Sequence, residues 1–501
     1  MRFAHRPIRT AIAVLGATLG GSHALAADKA DDGYSLSIGG YVRGWAAFNL
    51  QDQPETPSDD KWKPSMLRGS VLLDADGRTG PIQWKGIVRV DHEAKTGYLA
   101  DLERLRATNG TTGGDYKSIT DNYNAVELRE FWGEMKFGDR TTVRAGKQQV
   151  VWGESDFFQA MDLVHGYDMS WRLFFEGENE EWRKPLWLVS TKFDVPEAKG
   201  QIQAFVRPGG DRCKDIGTTY DIRGGRWFFN PYRGFDLSAI TSYDCDHPEG
   251  DKSDWTGGVR WTGEAGPVSY SVAYVKTYAA DPVANSSLAP WKKAPKGPLF
   301  DLVHPKIDVL GATVSGYSAA TDTVLSAELA YTFGQPFNIG TGPALGLLGI
   351  KRKDTVRMML RADKNLNFQN LLGTTRPSFS SVQLFNTWIP SHRRSEDLAR
   401  LFAYGSPTPK HNPILTAFTV LNYASDTINP SFAIGVDKHG GGFFIPAVDL
   451  VLGDHWRAKV EADIFWNKDH GNALFDPNDE VQLFGYFHKS SQLTFRLTRQ
   501  F

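Results

Sequence analysis

The stretch Glu127-Leu128-Arg129-Glu130-Phe131-Trp132-Gly133-Glu134-Met135-Lys136-Phe137 alternates apolar and polar side chains, and beyond the turn Gly138-Asp139-Arg140 the run from Thr141 to Trp152 alternates again. Two period-two runs joined by a short Gly/Asp turn predict a β-hairpin. One face carries Phe131, Met135, Phe137, Val143 and Ala145; the other carries Glu130, Glu134, Lys136, Arg144 and Gln148. After Gly153-Glu154 the alternation stops, and it resumes only at Leu186. Within that gap Phe157, Phe158, Met161, Trp171, Phe174, Phe175 and Trp182 stand among Glu154, Asp156, Asp162, Asp168, Glu176, Glu178, Glu180 and Glu181. Connections are usually short and polar. A long aromatic and acidic one is expected to fold back, as a loop with a short helix, inside a wall built by the rest of the chain.

The same alternation recurs along the sequence. Leu36, Ile38, Val42, Ala46 and Phe48 oppose Ser35, Ser37, Tyr41 and Arg43; Leu67, Val71 and Leu73 oppose Arg68, Ser70 and Asp74. Ile82, Trp84, Val88 and Val90 oppose Gln83, Lys85, Arg89 and Asp91, and later runs set Arg260, Arg357, Arg361, Arg457 and Lys459 against apolar neighbours. A soluble sandwich also alternates, but its polar face meets bulk water and has no need of Arg and Glu on strand after strand. Connections alternate in length as well, with short turns at 76–81, 138–140, 194–200, 263–267, 318–322 and 453–454 between long polar segments. Long loops on one side and short turns on the other mark a membrane barrel. The expected fold is all-β: a closed antiparallel transmembrane β-barrel of about 18 strands (range about 16–20) with 153–185 inserted into its lumen. The segment 480–501 reads as a single long final strand, because Val481, Leu483, Phe487, Leu493, Phe495, Leu497 and Phe501 keep one phase.

Arg2, Arg6 and Arg9, the apolar run from Thr10 to Gly21 and Ala24-Leu25-Ala26 form a secretory signal peptide over 1–26, leaving 27–501 as the barrel. Removing those three Arg takes the formal charge from −2 to −5, which excludes a nucleic-acid binder. No stretch reaches the roughly 18 apolar residues of a spanning helix. An exported chain of this pattern is expected in a bacterial outer membrane, with its lipid, the barrel-assembly machinery and a small-molecule permeant as partners. The only cysteines, Cys213 and Cys245, lie in the polar segment 208–252, read as a long exterior loop stapled by their disulfide.

The inward polar and charged residues Arg43, Arg68, Arg89, Asp91, Glu130, Glu134, Arg144, Gln148, Arg260, Arg357, Arg361, Arg457 and Lys459, with Trp152, Glu154 and Asp156, are the candidate constriction. A basic wall facing an acidic insert focuses the field on a passing solute. Phe157, Phe158, Met161, Trp171, Phe174 and Phe175 are the candidate contacts for an apolar or amphipathic permeant, or else simply pack the insert against the wall. Catalytic chemistry finds no support. Asp91-His92-Glu93 has suitable residue types, but neighbours on a strand point to opposite faces. Gly-x-Ser-x-Gly and His-Glu-x-x-His are absent, and no cofactor or metal site is expected.

Phe501, with Leu497, Phe495 and Leu493 in step behind it, resembles the C-terminal assembly signal of bacterial outer-membrane barrels; Arg499 departs from that pattern. Arg144-x-Gly146-Lys147-Gln148 followed by Trp152-Gly153-Glu154 resembles the Gly-Arg-Gln…Trp-Gly-Glu run of the outer-membrane family known as domain of unknown function 1302, with Lys147 departing from it. Asp476-x-x-Asp479 and the terminal Phe501 are similar to that family too. The resemblance implies an outer-membrane barrel that moves hydrophobic or steroid-like compounds or lipids, beside an inner-membrane exporter; the alternative to a channel is a plugged barrel that docks a periplasmic lipoprotein and such an exporter. It implies no catalytic residue.

Overall fold

The computed structural model describes residues 33–53, 55–109, 118–153, 155, 158, 160–172, 179–228, 232–401, 405–468 and 484–501. Period-two patterning becomes strand throughout. The first five are β1 (Tyr34–Asn49), β2 (Pro64–Thr79), β3 (Ile82–Glu93), β4 (Ala125–Phe137) and β5 (Thr141–Gln148). Next come β6 (Leu186–Val195), β7 (Gly200–Arg207), β8 (Thr256–Ala265), β9 (Val268–Tyr278) and β10 (Lys306–Ser318). The set ends with β11 (Thr323–Ile339), β12 (Ile350–Leu366), β13 (Ser378–Trp388), β14 (His411–Val420), β15 (Ile428–Asp437), β16 (Gly442–Leu452), β17 (Trp456–Trp466) and β18 (Gln492–Gln500). Each pairs antiparallel with its sequence neighbour, and β1 pairs with β18 from Tyr41–Gln500 to Asn49–Gln492, so the eighteen long strands close without an edge. Phe501 completes the closure, exchanging two 3.1 Å backbone hydrogen bonds with Gly40.

The outer face carries exposed Val42, Leu73, Phe131, Val272, Leu310, Leu329, Leu360, Ile434 and Phe495. A belt of that extent buries itself only in lipid. Short turns gather at one end, the turn end, including 138–140, 196–199 and 453–455; the segment 367–377, with its one-turn helix Gln369–Leu372, is the longest of them. Long connections leave the other, loop end, apart from the tight hairpin 438–441 between β15 and β16.

The loop-end connections differ most from expectation. Residues 93–123 include a helix, α1 (Gly97–Thr108), capped by Thr96, whose side chain accepts from the Leu99 N–H. Its Tyr98, Leu99 and Leu102 are buried against Trp45 and Met66 of the inner wall and against Trp171. The segment 208–252, read as exterior, sends a second insert into the lumen. Ile222, Trp227 and Phe228 are buried there, and Thr219–Tyr220 pairs in parallel with Asp168–Met169 of the first insert. Its apolar residues are too scattered to form a period, which is why a polar average concealed them. Cys213 and Cys245 are bonded, with Cα atoms 5.5 Å apart, at the root of that insert.

The single strand expected over 480–501 is also corrected. β18 begins at Gln492, while Gly485–Phe487 is a 3-10 turn that buries Phe484, Tyr486 and Phe487 inside the barrel. The shared phase of Phe487 with β18 is a coincidence of spacing; its ring finds Trp227, not lipid.

Candidate functional site: a lumen filled from the loop end

One arc of the inner wall is charged. Arg68 lies 3.0 Å from Asp91 and 3.8 Å from Glu93; Arg89 reaches Asp91 at 3.0 Å and Glu127 at 3.3 Å; Arg129 shares Glu127 at 3.3 Å. The register makes these pairs, with Arg68 opposite Glu93 and Arg89 opposite Glu127. An irregularity between β3 and β4, at Ile87/Val88, leaves Arg129 as the extra residue, so that Arg129 and Glu130 both face inward. Strict alternation missed Glu127 and Arg129 for this reason.

The inserts engage this arc in both senses of charge. Glu181 accepts from Arg43 at 2.9 and 3.0 Å and from the Tyr41 hydroxyl at 3.0 Å. Arg89 and Arg129 donate to the carbonyls of Glu181 (3.1 Å) and Arg183 (2.7 Å). Conversely, Arg226 of the second insert forks onto Glu93 at 2.6 and 3.2 Å, and Arg172 pairs with Glu461 and, at 3.4 Å, with Asp463. The expectation of a basic wall against an acidic insert is thus replaced by reciprocal pairing. Guanidinium groups also lie over rings: Arg43 over Tyr41 at 4.0 Å, Arg68 over Trp171 at 4.4 Å, Arg226 over Tyr123 at 4.2 Å. Buried pairs of this kind add little net stability over apolar packing, but removing one partner costs about 3–5 kcal/mol. They fix where the inserts sit.

The opposite arc is apolar. Met359, Phe385, Ile414, Phe443, Ile445 and Phe465 of β12–β17 point inward and form one cluster with Ala160, Tyr167, Trp182, Trp227, Phe484 and Phe487. Phe158 meets Phe385 and Phe484 edge-on at 5.3 and 5.9 Å. A third group centres on Trp152, edge-on to Phe205 at 5.3 Å, with Met161 and Leu188. Gly311 of β10 belongs to it because a Cβ there would lie 1.9 Å from the Met161 sulfur.

Three polar ties hold the roots of the inserts. His165 accepts the Val150 N–H on Nε2 at 2.8 Å, which leaves Nδ1 to donate to the Lys184 carbonyl at 3.0 Å. Burial, then the Arg183 charge, pushes its pKa down to about 3, so the ring is neutral. Burial also takes the Lys184 ammonium down to about 8, while its Nζ donates to the Lys214 carbonyl (2.7 Å) and to Thr219 (2.9 Å), joining the inserts. Lys147, the motif's departure from Arg, reaches Asp215 at 3.4 Å. Gly146 beside it has φ 134°, and a Cβ there would meet the Phe131 carbonyl oxygen at 2.2 Å, so the motif glycine is a close-approach position.

Toward the turn end the lumen opens. A cavity of about 250 Å³ lies under the first insert, lined by Glu134, Thr142, Arg144, Gln148, Trp152, Ser190, Lys192 and Gln203 among others. A larger concavity, about 620 Å³, lies outside on β9–β13 against Val314, Leu325, Leu360, Val382 and Leu384, where lipid chains would pack.

The family described as "Protein of unknown function (DUF1302)" matches residues 7–486. The chain belongs to this family. No curated protein matches it. Among solved structures this DUF1302 protein is similar to the Acinetobacter baumannii protein OccAB3, at 8% identity over 93% of this chain and 99% of that one, TM-score 0.49. The Acinetobacter baumannii outer membrane channel DcaP is similar at 10% identity over 95% and 100%, TM-score 0.41. Salmonella typhi OmpF in complex with daunomycin is similar at 9% identity over 94% and 98%, TM-score 0.41.

In this family member Arg43, Arg68, Arg89 and Asp91 gather in the charged arc, and Glu130 accepts from Trp132 (2.9 Å) and Gln149 (2.8 Å). Arg144 pairs with Glu134 at 2.7 Å above the open cavity, and Gln148 binds the Leu188 carbonyl and Ser190. Arg260 and Arg357 face inward on β8 and β12; Arg361 pairs with Asp363 at 2.7 Å and Lys459 with Glu461 at 2.6 Å. Arg457 does not join them: it bonds the Gly453 and Trp456 carbonyls at the turn-end rim, because it follows a tight turn by only a few residues. Phe158, Met161 and Trp171 are packed between insert and wall. Glu154, Asp156, Phe157, Phe174, Phe175, Asp476, Asp479 and the signal segment lie outside the described residues. Leu497 is exposed on the lipid face. His92 is exposed while Asp91 and Glu93 are buried, so that trio shares no face.

Proposed function

We propose that this protein is an outer-membrane channel, closed at rest by its own inserts, that passes a small amphipathic molecule by binding and facilitated diffusion when they shift. The loop end faces outward and the turn end faces the periplasm, following the rule that long loops lie outside. The observation that carries the reading is the two-sided lumen: ion-paired Arg and carboxylates on β1–β4, and inward Met359, Phe385, Ile414 and Phe443 on β12–β16. A solute with one charged and one apolar side finds partners on both arcs, in the manner of sites that combine apolar lining with a few fixed polar groups. No covalent step is involved. Uptake of radiolabelled amphipathic and fully polar solutes of equal size into proteoliposomes tests it. Faster entry of the amphipathic one, saturable with concentration, is the expected result; equal, unsaturable entry of both would refute selectivity.

A second reading follows from the inserts that enter the lumen from the loop end: a plugged barrel that docks a periplasmic lipoprotein and an inner-membrane exporter. Recovery of a stoichiometric periplasmic partner together with no solute uptake would favour it.

A further inference from the structure

We propose that the turn-end cavity beneath the first insert is a binding site for a small organic anion, entered from the periplasmic side. This deepens the channel reading and rests on it. The cavity, about 250 Å³, takes its charge from one inner-wall row. Lys136 stands opposite Thr142, Thr142 opposite Lys192, Lys192 opposite Gln203, and Gln203 opposite Arg260. Lys136, Lys192 and Arg260 thus share one level of β4–β8, and the cations of the described cavity lining are Lys192 and, one step above, Arg144. Among the described residues the lining carries one carboxylate, Glu134, which takes Nε and Nη2 of Arg144 on one oxygen at 2.8 and 2.7 Å. Asp194, nearer the rim, is held by Gln201 at 2.6 Å.

In the charged arc and at the inserts Arg68, Arg89, Arg172 and Arg226 each have a carboxylate within 3.4 Å. Here, among the described lining residues, two cations face one carboxylate. Among the described residues the side chains of Lys136 and Lys192 make no hydrogen bond or ion pair, and Nη1 of Arg144 is not used by any of them. The guanidinium carbon lies 3.7 Å from the centre of the Trp132 ring, which leaves Nη1 available to a carboxylate. The roof is apolar, formed by Val150, Val151 and Trp152, the first residues of the insert. Charge below and a hydrocarbon surface above select an anion with an apolar portion over an inorganic one. The site also touches the closing element: Gln149 donates to Glu130 (2.8 Å) and accepts from Arg183 of the insert (3.0 Å).

The test uses the full chain in lipid nanodiscs, with 3-phenylpropionate and its neutral amide as probes, followed by calorimetry and tryptophan fluorescence. The acid is expected to bind at least about tenfold more tightly than the amide, as a charge-assisted pair implies. Arg144→Gln and Lys192→Gln should each weaken the acid about tenfold and leave the amide unaltered. Lys192→Gln alters an exposed side chain and should keep the fold should Arg144→Gln fail to assemble. Equal binding of acid and amide, or acid binding unchanged in Lys192→Gln, overturns the site. Uptake without acid preference would refute the site and leave the channel; acid binding without uptake would do the reverse.

Discussion

Replacing Arg226 by Met should loosen the inserts without opening the barrel. Arg226 is 4% exposed, forks onto Glu93, donates to the Trp171 carbonyl at 3.1 Å and lies over Tyr123. It therefore joins the second insert to the wall and to the first. Its loss leaves the Glu93 carboxylate, 2% exposed, with Arg68 at 3.8 Å as its one remaining cation among the described residues. Breaking a buried pair on one side costs about 3–5 kcal/mol, and about 1.4 kcal/mol is tenfold in a population. The displaced state should therefore rise roughly a hundredfold to several thousandfold. Because the two native cysteines are joined, Ala160→Cys supplies a lone thiol, at a position 1% exposed within the apolar cluster. Its labelling by a water-soluble maleimide in the intact protein reads the displaced population. Arg226→Met should speed labelling by that factor, and adding Glu93→Leu should return it toward the parent rate, since replacing both partners by apolar groups is close to neutral. Unaltered labelling in Arg226→Met, or a double variant as fast as the single, would refute the view that buried pairs hold the inserts.

Other outcomes follow from the same contacts. Reducing Cys213–Cys245 releases a closed loop of about 33 residues, worth roughly 3.5 kcal/mol of chain entropy, and should expose 208–252 to protease while the barrel stays heat-resistant in gels. His165 has a folded pKa near 3, below its ordinary 6.5, so its stabilising effect is complete above pH 6.5 and declines as pH falls toward about 3. Thermal stability should accordingly decrease between pH 7.5 and 4.5, and His165→Asn should flatten that slope; an identical slope in both would refute it. Gly146→Ala, by driving a Cβ into the Phe131 carbonyl, should lower the yield of heat-modifiable barrel, whereas Gly138→Ala at the open turn should cost far less.

The wall was legible in the sequence because lipid outside and charge inside impose a strict period of two, and the terminal Phe501 and the Trp152-Gly153 motif named its kind. The first insert was legible as a long break in that period that is aromatic and acidic rather than simply polar. What lay beyond reach had no period to read. Trp227 and Phe228 sit in a segment dominated by Gly, Arg and Asp; Phe487 keeps the phase of a strand to which it does not belong; and Arg129 faces inward only because of a register irregularity. The inward aromatics of β12–β17 were readable only as one face of alternating strands, since periodicity says which residues share a face and not whether that face meets lipid or lumen. Reciprocal charge pairing likewise depends on which insert meets which strand, a matter of three-dimensional placement.

Single-channel recording in planar bilayers of the full-length protein beside its Arg226→Met variant bears most directly on a lumen closed by movable inserts. The parent should give rare, brief openings, and the variant sustained ones of larger conductance. Silence from both at equal protein density, with the barrel verified as folded, would contradict it.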